Sequence, residues 1–210
     1  MAPEPVSYLT LARTAQASIE VKRSRFLATL EPVADEAAAR AVVERMRREH
    51  WDARHHCSAF VLGADGAVQR SSDDGEPAGT AGAPMLEVLR GAGVSDTVAV
   101  VTRWFGGVLL GAGGLVRAYG DAVRAGLEEA GTLRRTLLRE QLLVLDHADA
   151  GRVESELRAR GVAVLSVDYA ERVRLLVGVP AGEEAGLTAT VAGLTGGAVT
   201  PVPAGERWVP

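Results

Sequence analysis

The stretch Asp96-Thr97-Val98-Ala99-Val100-Val101-Thr102 decides how the first half of the chain is built. A strand with one face in water alternates apolar and polar residues. Here four apolar residues stand in a row, as expected of a strand buried on both faces. Directly after it comes a glycine-rich stretch, Arg103-Trp104-Phe105-Gly106-Gly107-Val108-Leu109-Leu110-Gly111-Ala112-Gly113-Gly114. Residues 114–131 then read as a helix, with Leu115, Ala118, Tyr119, Ala122, Val123 and Leu127 on its buried face and Gly131 placed to end it.

Upstream of that strand the pattern is consistent with it. Residues 17–24 and 25–33 read as short strands, the first alternating through Ser18-Ile19-Glu20-Val21-Lys22. Asp35 is an N-cap candidate for a helix to about His50, with Ala38, Val42, Val43 and Met46 at helical spacing and Arg45, Arg47 and Arg48 toward its end. Residues 56–62 and 67–71 form a hairpin about the turn Gly63-Ala64-Asp65-Gly66. Residues 72–82 show no periodicity and are a loop. A short helix over 83–90 follows, with Pro84 in its first turn.

After a short polar connection at 131–136 the order changes. Strand 137–145, helix 150–160, strands 162–169 and 172–179, helix 183–194 and strand 198–203 give βαββαβ, the split-βαβ order of a ferredoxin-like domain. Val162–Leu165 and Val173–Val179 are expected to be its central strands. The fold class is thus α+β, with one α/β domain over residues 1–133 and a second domain over 137–210.

Composition limits the function classes. The net charge of −4 over 210 residues gives no global attraction to nucleic acid, so any phosphate-binding face must be a local patch. Cys57 is the single cysteine, which rules out an intramolecular disulfide and fits a reducing compartment. The first 20 residues carry no leader pattern, and no apolar run nears the roughly 20 residues that span a bilayer. The expectation is a soluble cytoplasmic protein with no membrane partner.

Two loops carry the candidate chemistry. Ser71-Ser72-Asp73-Asp74-Gly75-Glu76-Pro77-Ala78-Gly79-Thr80-Ala81-Gly82 sets three acids within four positions before a run of glycines. Clustered carboxylates suit a hard cation or a basic partner; equally, each acid can cap a turn or pair with an arginine. The second loop leaves a buried strand and enters a helix, where backbone N–H groups can hold an anion or where glycines simply permit close packing. No Gly-Lys-Ser/Thr closes it as in a nucleoside-triphosphate loop, and Gly111-Ala112-Gly113-Gly114 lacks dinucleotide spacing. In His55-His56-Cys57 only His55 and Cys57 share a strand face, and no second Cys/His cluster completes a zinc set; Cys57 reads as a buried small hydrophobe.

The chain resembles the YigZ/IMPACT family at Lys22-Arg23-Ser24-Arg25-Phe26, at Asp52-Ala53-Arg54-His55-His56-Cys57, and through the acidic loop from Ser72 to Gly82. The resemblance continues at Val101-Thr102-Arg103-Trp104-Phe105-Gly106-Gly107 and Leu110-Gly111-Ala112-Gly113-Gly114-Leu115-Val116-Arg117-Ala118-Tyr119-Gly120. It is strong over residues 21–130; beyond them it rests on length and element order. It implies a first domain like the second domain of ribosomal protein S5 and a ferredoxin-like second domain like the last domain of elongation factor G. Eukaryotic IMPACT proteins regulate translation by competing for the activator of a starvation-responsive initiation-factor kinase; that partner is not carried over. Departures are Ala83 and Leu109, where many relatives have a basic residue, and Trp104, where tyrosine is more usual.

The leading expectation is a non-enzymatic, translation-associated protein without a cofactor or metal. It would bind RNA, a ribosomal surface or a protein partner through Asp73, Asp74, Gly75, Glu76, Gly79 and Thr80 on one side. The other side would be Arg103, Gly106, Gly107, Gly111, Gly113, Gly114 and Arg117, with Arg54 and the Arg45–Arg48 cluster extending the patch. The competing expectation is a metal-assisted hydrolase using Asp73, Asp74 and Glu76. No catalytic residue and no oligomeric state is assigned.

Overall fold

A computed structural model describes residues 5–210; residues 1–4 of the expected first domain lie outside the described residues. The chain divides into two compact units, Met1–Arg134 and Arg135–Pro210. Both are mixed α/β, and together they hold two sheets and five helices among the described residues.

In the first unit β2 (Ala15–Val21), β3 (Ser24–Pro32), β6 (Thr97–Trp104), β4 (His55–Leu62) and β5 (Val68–Ser72) form one antiparallel sheet in the order β2-β3-β6-β4-β5. β6 is its middle strand, and Thr97 through Arg103 are all buried. The apolar run is divided between two cores by the pleat. Val98 and Val100 join Val42, Met46 and Phe60 under α1 (Glu36–Glu49), while Ala99 and Val101 face α2 (Gly82–Gly91) and α3 (Ala112–Ala130). Burial on both faces is therefore why this strand shows no alternation.

Local signals act where the sequence places them, with ends shifted by a few residues. Asp35 caps α1 by accepting from the Ala38 N–H at 2.8 Å, and Gly131 ends α3 at φ 62°. The β2–β3 connection is tighter than a continuous strand pair suggests: Lys22 and Arg23 form a two-residue turn with φ 48° and 67°. Both lie in the left-handed region demanded by hairpins that match strand twist. A further strand, β1 (Ser7–Leu11), falls where no strand is expected from the alternation; its burial follows Tyr8, Thr10 and Leu11.

The second unit runs β7 (Thr132–Leu145), α4 (His147–Ala159), β8 (Ala163–Tyr169), β9 (Val173–Pro180), α5 (Glu184–Thr195) and β10 (Val202–Val209), which is βαββαβ. The strand order is β10-β7-β9-β8 with every neighbour antiparallel. Three expectations need correction. The stretch expected as a polar connection belongs to β7, whose strand starts at Thr132. The segment expected as a central strand at 162–165 belongs to β8, an edge strand with mostly exposed residues, while β7 and β9 are central. The last strand lies at Val202–Val209 rather than 198–203, and a bulge between Pro203 and Gly205 explains why its period was hidden. Leu143, Leu145, Val153, Leu157, Leu175 and Val177 lie in its core.

Candidate functional site

The acidic loop between β5 and α2 is held by its own carboxylates. Asp73 accepts from the N–H groups of Gly79 at 2.8 Å, Ala81 at 3.0 Å and Gly82 at 2.8 Å. Ala81 and Gly82 open α2, whose N-cap Ala81 has no capping side chain of its own, so Asp73 caps this helix from eight residues upstream. Burial works against the Asp73 carboxylate, but its three N–H donors prevail and hold its pKa below the ordinary carboxylate value.

Asp74 turns the other way. At φ 42° it accepts from the His56 N–H at 2.6 Å and pairs with Arg47 at 2.7 Å. Its carbonyl lies 2.8 Å from His55 Nδ1. A carbonyl only accepts, so Nδ1 of His55 carries the proton when the ring is neutral. Gly75, at φ 84°, packs against that ring, and Gly79 is also left-handed at φ 76°. Thr80 closes the loop by donating its hydroxyl to the Pro77 carbonyl at 2.6 Å.

Glu76 is the acid that points inward. Its side chain is 3% exposed, and its Oε1 accepts from Arg103 Nη1 at 2.6 Å and from the Tyr119 hydroxyl at 2.7 Å, with His55 Nε2 at 4.0 Å. Arg103, near the end of β6, is buried as well and reaches Ser24 Oγ at 3.4 Å. Ser24 Oγ also accepts from the Gly106 N–H at 3.2 Å. A Cβ on Gly106 would stand 2.0 Å from the Arg23 carbonyl carbon and oxygen, so glycine lets the second loop lie directly on the β2–β3 turn.

Cys57 lies beneath this network, 3.0 Å from the Asp73 carbonyl and 3.3 Å from the Tyr119 hydroxyl. It is fully buried, and burial pushes its thiol up to about 12. That is the environment of an inert thiol. His55 and Cys57 do share a strand face, whereas His56 turns to the other side and bonds the His50 carbonyl at 3.2 Å. Burial lowers the pKa of His56. The carboxylates of Asp73, Asp74 and Glu76 each serve different partners, and among the described residues no three metal-ligating side chains converge.

The two loops bound a cleft of about 330 Å³ lined by Arg54, His55, Glu76, Pro77, Arg103, Phe105, Leu109, Leu110, Gly111, Ala112 and Leu115. Its base is polar and its walls are apolar. Phe105 and Leu109 are exposed at its rim, Leu109 to 82%. Glu76, Arg103 and Gly111 of the expected site therefore meet at one cleft. Gly106, Gly107, Gly113 and Gly114 shape the loop and the helix entrance beside it. Arg117 lies elsewhere: it lines a separate groove between α2 and α3 with Pro84, Val88 and Arg124. From the sequence Tyr119 reads as a core residue, and nothing around Ser24 marks it as part of a site. A tyrosine on a fully buried helix face is itself a signal, because its hydroxyl needs a partner there.

Residues 22–127 match the Impact N-terminal domain, and residues 143–198 match a domain of unknown function (DUF1949). The chain is 44% identical over 182 residues to the IMPACT family member YigZ of Escherichia coli, covering 86% of this chain and 89% of that protein. It is 43% identical over 167 residues to the IMPACT family member YvyE of Bacillus subtilis, covering 80% of this chain and 77% of that one. A crystal structure described as that of a hypothetical protein superposes with a TM-score of 0.66 at 41% identity, covering 96% of this chain and 98% of the other.

Proposed function

The chain belongs to the IMPACT family, and from that premise we propose that it is a non-enzymatic, translation-associated binding protein. Its partner-binding face is the cleft between the acidic loop and the glycine-rich entrance to α3. The observation that carries this reading is the contrast between the cleft's base and its rim. The carboxylates and the thiol that could do chemistry (Asp73, Asp74, Glu76 and Cys57) are committed to holding the loops together. What the rim offers is exposed apolar surface, Phe105 and Leu109, beside Arg54 and an open helix N-terminus. Apolar groups at a cleft rim suit a protein surface better than bare phosphates. A ribosomal protein or another translation protein is therefore favoured over RNA alone as the direct partner.

The same resemblance assigns the first unit to a fold like the second domain of ribosomal protein S5. It assigns the second unit to a ferredoxin-like fold like the last domain of elongation factor G. The βαββαβ order and the strand order β10-β7-β9-β8 support the latter assignment. Among the described residues no helix is long and apolar enough to cross a membrane. The buried single cysteine fits a reducing cytoplasm.

The test is what co-purifies with the full chain at low salt, with and without nuclease. Ribosomal or translation proteins retained after nuclease support the reading. Material lost with nuclease, and with a steep salt dependence, would transfer the interaction to RNA. Association with neither would overturn it.

A further inference from the structure

One residue of β7 does not belong to the core it faces. The pleat puts Gln141, Leu143 and Leu145 on the helix side of the second unit's sheet, where Leu143 and Leu145 join Val153, Val177 and Val191 in the apolar core. Gln141 stands opposite Val177 of β9 and is 6% exposed. Among the described residues its carboxamide has no hydrogen-bond partner. A carboxamide carries two donors and an acceptor, and burying them unpaired works against folding. Packing alone therefore gives no reason for glutamine at this position.

The reason lies beside it. α4 packs on β8 and β9, and α5 packs on β9, while β10 stays exposed from Val202 to Arg207. Between α5 and the β7–β10 pair runs a groove of about 680 Å³, within the range of ligand sites. Gln141 lines it together with Arg139, Glu184, Thr188, Pro203 and Glu206, so the exposed sliver of Gln141 opens there.

The walls select what can meet that amide. Glu184 and Glu206 share the single arginine Arg139, with Glu184 at 3.8 Å, which leaves one negative charge in excess. Such a groove repels a phosphate or a carboxylate and favours a cation. Pro201 and Pro203 offer apolar surface to the aliphatic stem of a long basic side chain. The Thr188 hydroxyl donates to the Glu184 carbonyl at 3.0 Å and keeps its lone pairs for a further N–H. Gln141 itself calls for a group with an N–H and a C=O close together, which is what a peptide backbone presents.

We propose that this groove of the second unit binds an extended polypeptide segment carrying a basic side chain. Gln141 pairs with a backbone amide of the segment, and the basic group lies against Glu184 and Glu206 with its stem over the two prolines. The site is distinct from the cleft of the first unit and does not rest on the reading of that cleft.

The experiment is an amide NMR titration of the full chain with the blocked tripeptide acetyl-Gly-Arg-Gly-amide. Saturable shifts are expected at the Gln141 side-chain amide and at the Thr188 and Gly205 backbone amides. The glutamate analogue, acetyl-Gly-Glu-Gly-amide, should bind about tenfold more weakly, the scale of one charge-assisted contact. Methylguanidinium, which keeps the cation and lacks the amide, should also bind more weakly, and adenosine monophosphate should not compete. No saturable shift with the arginine peptide overturns the proposal. So does equal or tighter binding of the glutamate peptide, of methylguanidinium or of the nucleotide. Gln141→Leu adds two readouts that should move in opposite directions. It should abolish the peptide-induced shifts at Thr188 and Gly205. It should also raise the thermal midpoint by about 2–4 °C, because an unpaired buried polar group gives way to an apolar one of similar volume. A lowered midpoint would assign Gln141 to folding, and surviving peptide binding would show that the groove does not read the amide; either result overturns the proposal.

Discussion

Arg103 and Glu76 form a buried ion pair at 2.6 Å that ties the end of β6 to the acidic loop. Tyr119 of α3 donates to the same carboxylate oxygen, so strand, loop and helix converge on one atom. Removing one partner leaves the other charge buried without compensation. Glu76→Gln and Arg103→Met should each destabilise the first unit by about 3–5 kcal/mol. In a double-mutant cycle by urea unfolding, the combined variant should lose clearly less than the sum. Additive losses would show that the pair is not coupled.

Gly106 and Gly113 are a few residues apart and should respond oppositely to alanine. At Gly106 the new methyl meets the Arg23 backbone at 2.0 Å, and neither side can yield without opening the β2–β3 turn. Gly106→Ala should cost about 1–3 kcal/mol or more. Gly113 lies in the first turn of α3 with nothing within 4 Å of the added carbon. Gly113→Ala should stabilise by about 0.5–1 kcal/mol, because glycine is the poorer helix former. Thermal unfolding of both variants checks the signs.

The contrast between these glycines also shows what the sequence could and could not reveal. The run Val98–Val101 exposes the two-sided burial of β6 because that burial demands apolar residues on both pleat faces. Asp35 and Gly131 mark helix ends because capping acts within a turn of its own residue. Asp73 was legible as an acid but not as a cap, since it reaches α2 from outside the helix. The pairing of Glu76 with Arg103 spans 27 residues, and nothing local to either residue announces it. The two glycine-rich loops that bound the cleft could be read from the sequence. The division of labour among its charges could not, and Arg117 turned out to line a different groove.

Cys57 should be silent to thiol reagents in the native protein. Burial raises its pKa to about 12 from an ordinary value of 9.0, so very little thiolate exists at pH 8 and access is closed as well. A chromogenic disulfide reagent at pH 8 should react at a rate set by unfolding and accelerate sharply across the urea transition. Rapid stoichiometric reaction without denaturant would contradict the buried environment. The raised folded value also has a stability consequence. This contribution is complete below the unfolded value and is lost as pH climbs from about 9 toward 12.

The acid side of the stability curve should belong in part to Asp73. Its carboxylate accepts three backbone N–H bonds and is held below the ordinary value of 3.8, despite burial acting the other way. Its contribution to stability is present above the unfolded value and disappears as pH falls through the lower folded value. Asp73→Asn keeps the shape but trades a charged acceptor for a neutral one with a single oxygen, and it cannot titrate. The variant should be less stable at pH 7 by about 1 kcal/mol, the usual worth of a helix cap. As pH is lowered through and below 3.8, that difference should shrink, because the wild-type carboxylate is then giving up its own advantage. Urea midpoints of both proteins between pH 7 and pH 3 measure this directly. A gap that stays constant over the range would mean that the three N–H bonds depend on shape alone, with no contribution from the carboxylate charge.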